Sequence, residues 1–140
     1  MNKRFTQTLV VLFALALTTA CSKKDDAQPS LVGSWKFSSF AATNCTNSAD
    51  NGTDSCTSTT AAECGILTFT TTTWSYAQTP SGGTPTAESG TYSLSGSSLT
   101  LSGGTNITGT YTYSISGSTL TVSQTNSSTG CKETITLTKI

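Results

Sequence analysis

Few side chains in this chain could do chemistry, and the one that most often moves a proton near neutral pH, histidine, is absent from all 140 residues. Ser and Thr make up more than a third of the chain, yet none occupies a Gly-x-Ser-x-Gly turn, and no lysine stands at Ser-x-x-Lys spacing with evident partners. The paired acids Asp25 and Asp26 fall in a polar N-terminal stretch, and Asp50 and Asp54 in a loop. Asp50-Asn51-Gly52-Thr53-Asp54 offers hard oxygen ligands of the kind calcium takes, but lacks the twelve-residue pattern and its closing glutamate, so it reads as a solvated Asx-turn loop. Glu133 shares a strand face with Ile135; its plainer reading is an exposed strand-end charge beside Lys132, since a buried carboxylate would need a partner. These observations speak against an enzyme and imply no cofactor and no metal. What remains is a set of aromatic residues at alternating positions: Trp35, Phe37, Phe69, Trp74, Tyr76, Tyr92, Tyr111 and Tyr113. Gathered on one face, they could hold a flat or apolar small molecule.

The elements that must gather them are strands. From Leu31 onward the apolar residues recur with period two, and no stretch has helical spacing. The clearest evidence is an internal repeat, in which the run Thr91 to Ser102 matches Thr112 to Ser123. Each copy predicts a hairpin with a two-residue turn, at Gly96-Ser97 and Gly117-Ser118. That register sets Leu94 opposite Leu99, Tyr92 opposite Leu101, Ile115 opposite Leu120 and Tyr113 opposite Val122. Every large residue then falls on one face and every hydroxyl on the other. Glycine first in the turn suits type II′, which needs a positive φ there. Gly33 to Phe40 predicts a first strand with Trp35 and Phe37 on one face. Ile66 to Thr70 and Thr73 to Tyr76 predict a hairpin, and Cys131 to Lys139 a last strand. Residues 41–63 and 79–87 read as loops. The sum is all-β: a small up-and-down antiparallel β-barrel of about eight strands, closed so that no sheet edge is left open. Membrane strands need about 9–11 residues; these hairpin arms run to about five or six, which argues for an apolar face turned inward.

The N-terminus reads as targeting. Lys3 and Arg4 precede the apolar run Leu9 to Leu17, and small residues lead to Cys21. That run is about half the ~20 residues a bilayer-spanning helix needs. Cys21, followed by Ser22-Lys23-Lys24-Asp25-Asp26, resembles a bacterial lipobox, which implies a signal peptide over 1–20, cleavage before Cys21, palmitate-type acylation there and a membrane anchor. Thr18 stands where that pattern prefers leucine. Residues 21–30 read as a lipidated tether and 31–140 as one domain. The Lys-Lys-Asp-Asp stretch resembles the surface-export signals of Bacteroidota lipoproteins, so the expected place is the outer membrane or cell surface. Beyond residue 20 the chain carries five basic and seven acidic residues (5 − 7 = −2). No basic patch exists for phosphates, which argues against nucleic acid. With Cys21 acylated, Cys45, Cys56, Cys64 and Cys131 remain, an even number that in an exported chain implies two disulfide bonds. Three connectivities are open, and Cys45–Cys56 with Cys64–Cys131 is the preferred one. Zinc would want closer cysteine pairs.

Leu31-Val32-Gly33-Ser34-Trp35-Lys36 looks like the Gly-x-Trp opening of lipocalins, and the Gly90 to Leu101 run resembles the recurring hairpin of lipocalin-like lipoproteins of Bacteroidota. The resemblance implies that Trp35 plugs the closed end of a barrel beneath a basic residue near the last strand, for which only Lys132 and Lys139 are available. It also implies that the barrel holds small apolar molecules. Two functions follow: a membrane-held monomeric carrier of a small apolar ligand, or a filled β-barrel scaffold whose loops 41–63 and 79–87 bind a protein or glycan. An eight-stranded barrel is only just wide enough for side chains to fill it, so both stay open here.

Overall fold

A computed structural model describes residues 30–140. The signal segment, Cys21 and residues 22–29 of the tether lie outside the described residues. Nine strands follow in order: β1 (Gly33–Thr43), β2 (Gly52–Ser55), β3 (Ile66–Phe69), β4 (Thr73–Gln78), β5 (Thr86–Ser95), β6 (Ser98–Ser102), β7 (Gly109–Ser116), β8 (Thr119–Thr125) and β9 (Lys132–Lys139). Leaving out β2, each strand pairs antiparallel with the next, and β9 pairs back onto β1. The result is a closed, eight-stranded up-and-down barrel. The ninth strand, β2, takes the edge of β1 that β3 leaves free, pairing Ser39 to Ala42 while β3 pairs Gly33 to Lys36.

Both repeated hairpins form in the expected register, with Leu94 opposite Leu99, Tyr92 opposite Leu101, Ile115 opposite Leu120 and Tyr113 opposite Val122. Gly96 and Gly117 each have φ of +57°, as the first position of a type II′ turn requires. The third hairpin sets Leu67 opposite Tyr76 and Phe69 opposite Trp74. Leu99 and Leu120 are wholly buried, each contributing about 1.5–3 kcal/mol from burial alone. Outside the barrel, hydroxyls pair across strands: Ser34 with Thr68 at 3.0 Å, Ser38 with Thr138 at 2.8 Å, and Thr100 with Thr110 at 3.1 Å.

Several expectations need correction. Three of the four arms of the repeated hairpins are longer than five or six residues: β5 has ten, β7 eight and β8 seven, while β6 has five. Strand length therefore does not decide which way the apolar face points; the buried core inside the barrel does. Leu94 shares the inner face but is 45% exposed, because it sits at the last step before the turn, where the face runs out of barrel. The first strand continues to Thr43 because a β-bulge at Ser38 resets its alternation: Phe37 opposes Leu137, yet Phe40 opposes Ile135, so both face inward. Residues 41–63 are not a plain loop. They hold the end of β1, a single 3-10 turn (Ser48–Asp50), β2, and most of a one-turn helix, α1 (Ala61–Cys64). β5 begins at Thr86, so the second loop is 79–85.

The disulfides pair Cys45 with Cys131 and Cys56 with Cys64, against the expected connectivity. The cause is the lengthened first strand. β1 runs beside β9 as far as Thr43 opposite Lys132, which delivers Cys45 to Cys131. β2 then returns along β1 until the Cys56 N–H donates to the Ser38 carbonyl, next to α1 and Cys64. Gly52 to Ser55 is extended strand, and among the described residues no three acidic or cysteine side chains gather as a metal-holding group.

Candidate functional site

Up-and-down connection puts alternate turns at the same end of the barrel. The turns at Thr70–Thr72, Gly96-Ser97 and Gly117-Ser118 share one end with the start of β1; loops 79–85, 103–108 and 126–130 share the other. At the first end Trp35 is wholly buried, and its indole N–H donates to the Leu31 carbonyl at 2.8 Å. Lys139 lies over the indole, its ammonium 5.1 Å from the ring centroid, and donates to the Ser30 carbonyl at 3.3 Å. Of the two available lysines, Lys139 is therefore the basic cover. A Cβ at residue 33 would stand 3.1 Å from the Lys139 stem, and φ there is +132°. The glycine two residues before the tryptophan thus leaves room for the cation's path.

Phe69 and Trp74 continue the buried core. Both are almost wholly buried, Phe69 meets Tyr92 edge-to-face at 5.1 Å, and the Trp74 indole donates to the Ser102 carbonyl at 3.2 Å. Tyr92 and Tyr113 pack against this cluster half-buried, the Tyr92 hydroxyl donating to the Thr70 carbonyl at 2.7 Å. Burial, then the neighbouring Tyr113, holds the Tyr92 phenol above its ordinary value.

Above the plug lies a cavity of about 300 Å³, open toward loop 103–108. Its wall is mostly aliphatic: Leu67, Leu99, Leu101, Val122, Ile135 and Leu137, joined by Ile107 from the loop. Of the eight aromatics singled out, Phe37, Tyr76 and Tyr111 line it; Trp35, Phe69, Tyr92 and Tyr113 pack toward the closed end, and the Trp74 ring lies against Gly104 of loop 103–108. Gly65 lines it as well. A Cβ there would come within 2.6 Å of the Tyr76 hydroxyl, so only glycine lets that ring stand against the wall.

The polar groups of the cavity sit at its mouth. The Tyr76 hydroxyl donates to Gln78 at 2.8 Å, and Tyr111 to the Thr108 carbonyl at 3.2 Å. Both phenols are held above their ordinary value, first by burial and then by an acid, Glu88 for Tyr76 and Glu133 for Tyr111. Glu88 accepts the backbone N–H groups of Thr105, Asn106 and Ile107 and the Asn106 amide. These bonds, those from Asn106 foremost, lower its pKa. They also fix the loop that lays Asn106 and Ile107 over the cavity. Glu133 accepts from Gln124 at 3.0 Å and Asn126 at 2.8 Å. It is half-buried, partnered and on the inner face, not a free strand-end charge.

Sequence reasoning missed Asn106 and Ile107 because a loop has no periodicity to read. Gln124, two residues past Val122 on the same face, could have been found by extending the alternation one step.

A closed antiparallel barrel with a buried tryptophan beside a lysine at one end and a hollow at the other has the form of a lipocalin-like fold. The sequence profile of the lipocalin-like domain family matches residues 31–122, and the chain belongs to that family. The crystal structure of a lipocalin-like protein from Bacteroides uniformis is similar in fold, with a TM-score of 0.54 and 20% identity over 79% of this chain and 98% of that one. No curated protein matches the chain.

Proposed function

We propose that this protein is a non-enzymatic, lipid-anchored monomeric carrier that holds a small apolar molecule in its barrel, at the outer membrane or cell surface. The observation that carries the reading is the hollow above the plug. A cavity of about 150 Å³ lined by Leu, Ile and Phe holds one benzene ring; about 300 Å³ of mainly aliphatic lining suits a two-ring molecule or a short acyl chain. The volume stands at the lower edge of ordinary ligand pockets, which run from about 300 to 1,000 Å³. The anchor rests on the sequence before the domain, where Cys21 follows the small-residue site.

Every described strand and both disulfides lie within 33–139. The mature chain, residues 21–140 carrying Cys21→Ser so that no acyl group competes, therefore keeps the whole barrel. The neutral two-ring dye prodan should bind it with a blue shift and a dissociation constant on the order of 10–100 µM. Ile135→Trp, which fills the hollow from β9, should abolish that binding while the protein still unfolds cooperatively. No blue shift with the unfilled barrel would refute the carrier. Intact mass of the full chain extracted from membrane reads the anchor: acyl groups on Cys21 are expected, and an unacylated mature mass would remove it.

One observation favours the scaffold as a second reading. Both disulfides tie down the excursion between Thr43 and Gly65, whose β2 is exposed throughout, giving a rigid surface at the open end. A barrel that binds no apolar probe would leave this reading in place.

A further inference from the structure

Hydrogen-bond accounting at the mouth of the cavity says which polar end a ligand can carry. Ionised carboxylates only accept, so the amide nitrogens of Gln124 and Asn106 must face Glu133 and Glu88. That orientation leaves Gln124 Oε1 and Asn106 Oδ1 without a protein donor among the described residues, on two side chains that line the cavity. The hydroxyls of Tyr76 and Tyr111 also spend their protons on protein oxygens, so each phenol oxygen is left with acceptor capacity only. Four polar side chains thus approach the hollow, each with an oxygen to spare, while the two amides each keep one uncommitted N–H.

Charge points the same way. Glu88 and Glu133 stand directly behind Asn106 and Gln124. The three described lysines are elsewhere: Lys139 covers Trp35 at the closed end, and Lys36 and Lys132 are on the outer face, in register with Thr138 and Thr125. A ligand carboxylate would find at most the two spare amide N–H groups, beside spare oxygens and two like charges, with no described lysine at the mouth to offset its lost hydration. An ammonium or hydroxyl would meet the Gln124 and Asn106 oxygens, which have no protein donor and lie open to water in the free barrel.

We infer that the cavity selects small apolar molecules whose polar end is a hydrogen-bond donor, an amine above all, and rejects carboxylates such as fatty-acid anions. This rests on the carrier reading and narrows it.

The test displaces prodan from the mature Cys21→Ser chain at pH 7 with three competitors on one skeleton: 2-naphthylmethylamine, 2-naphthylmethanol and 2-naphthoate. The amine should displace at a concentration at least tenfold below the naphthoate, with the alcohol between them. Glu133→Gln should narrow the gap between amine and naphthoate at least threefold. Equal displacement by all three, tighter binding of naphthoate, or a gap untouched by Glu133→Gln would overturn the inference while leaving the carrier standing. If prodan itself fails to bind, carrier and inference fall together.

Discussion

At the scale of single residues, the acids at the open end act through what they hold. Glu88 carries no buried charge, yet three consecutive backbone N–H groups and an amide converge on it, and its pKa is lowered as a result. A depressed carboxylate contributes stability that is fully present above the unfolded value, near 4.5, and is lost as pH falls through the lower folded value. The amide resonances of Thr105, Asn106 and Ile107 should therefore shift together in one acid titration whose midpoint lies below 4.5, and Glu88→Gln should erase it. A midpoint at or above 4.5 would show that the loop is held by something else. None of this was legible from residue order, because Glu88 and Asn106 are 18 positions apart and joined only by the β5–β6 fold. Lys139 above Trp35 was half legible: the need for a cation was, the choice between two lysines was not. That choice depends on β9 ending beside the start of β1, where Trp35 opposes Lys139.

At the scale of elements, local pattern was enough wherever two strands joined by a tight turn had to bury one face. The hairpins at Gly96 and Gly117 were readable to the residue, because a slip of one position would turn Tyr92, Leu94, Tyr113 and Ile115 to the other face. Where β1 bulges, the same rule misled, and the disulfide pairing failed with it. Closeness in sequence is a poor guide once a strand is three residues longer than its pattern shows. Two glycines separate the turn from the packing. Gly96 has open space around its missing Cβ, so Gly96→Ala meets only the cost of a left-handed backbone, about 1–2 kcal/mol. A Cβ on Gly90 would lie 1.8 Å from the Ser102 carbonyl oxygen, which also accepts from Trp74. Gly90→Ala must push β5 from β6 and should cost more than about 3 kcal/mol, as overpacking against backbone does. Urea unfolding of both variants checks the order; a milder effect at Gly90 would mean that the barrel wall yields there.

At the scale of the whole molecule, the barrel divides its aromatic residues between two tasks. Three of the eight reach the hollow and five pack in the core beside it, so aliphatic side chains do most of the lining. Sequence alone could not make that division, because period two says which face a residue is on but not how far along the barrel it sits. The account stands or falls on the hollow between Trp35 and loop 103–108. Proton NMR of prodan bound to the mature Cys21→Ser chain, with methyl groups labelled, tests it most directly. The account predicts nuclear Overhauser contacts from the dye to Leu101, Val122, Ile135 and Leu137, and none to the exposed Val32, Leu94 or Ile140. Contacts confined to those three exposed residues would place the dye outside the barrel and contradict it.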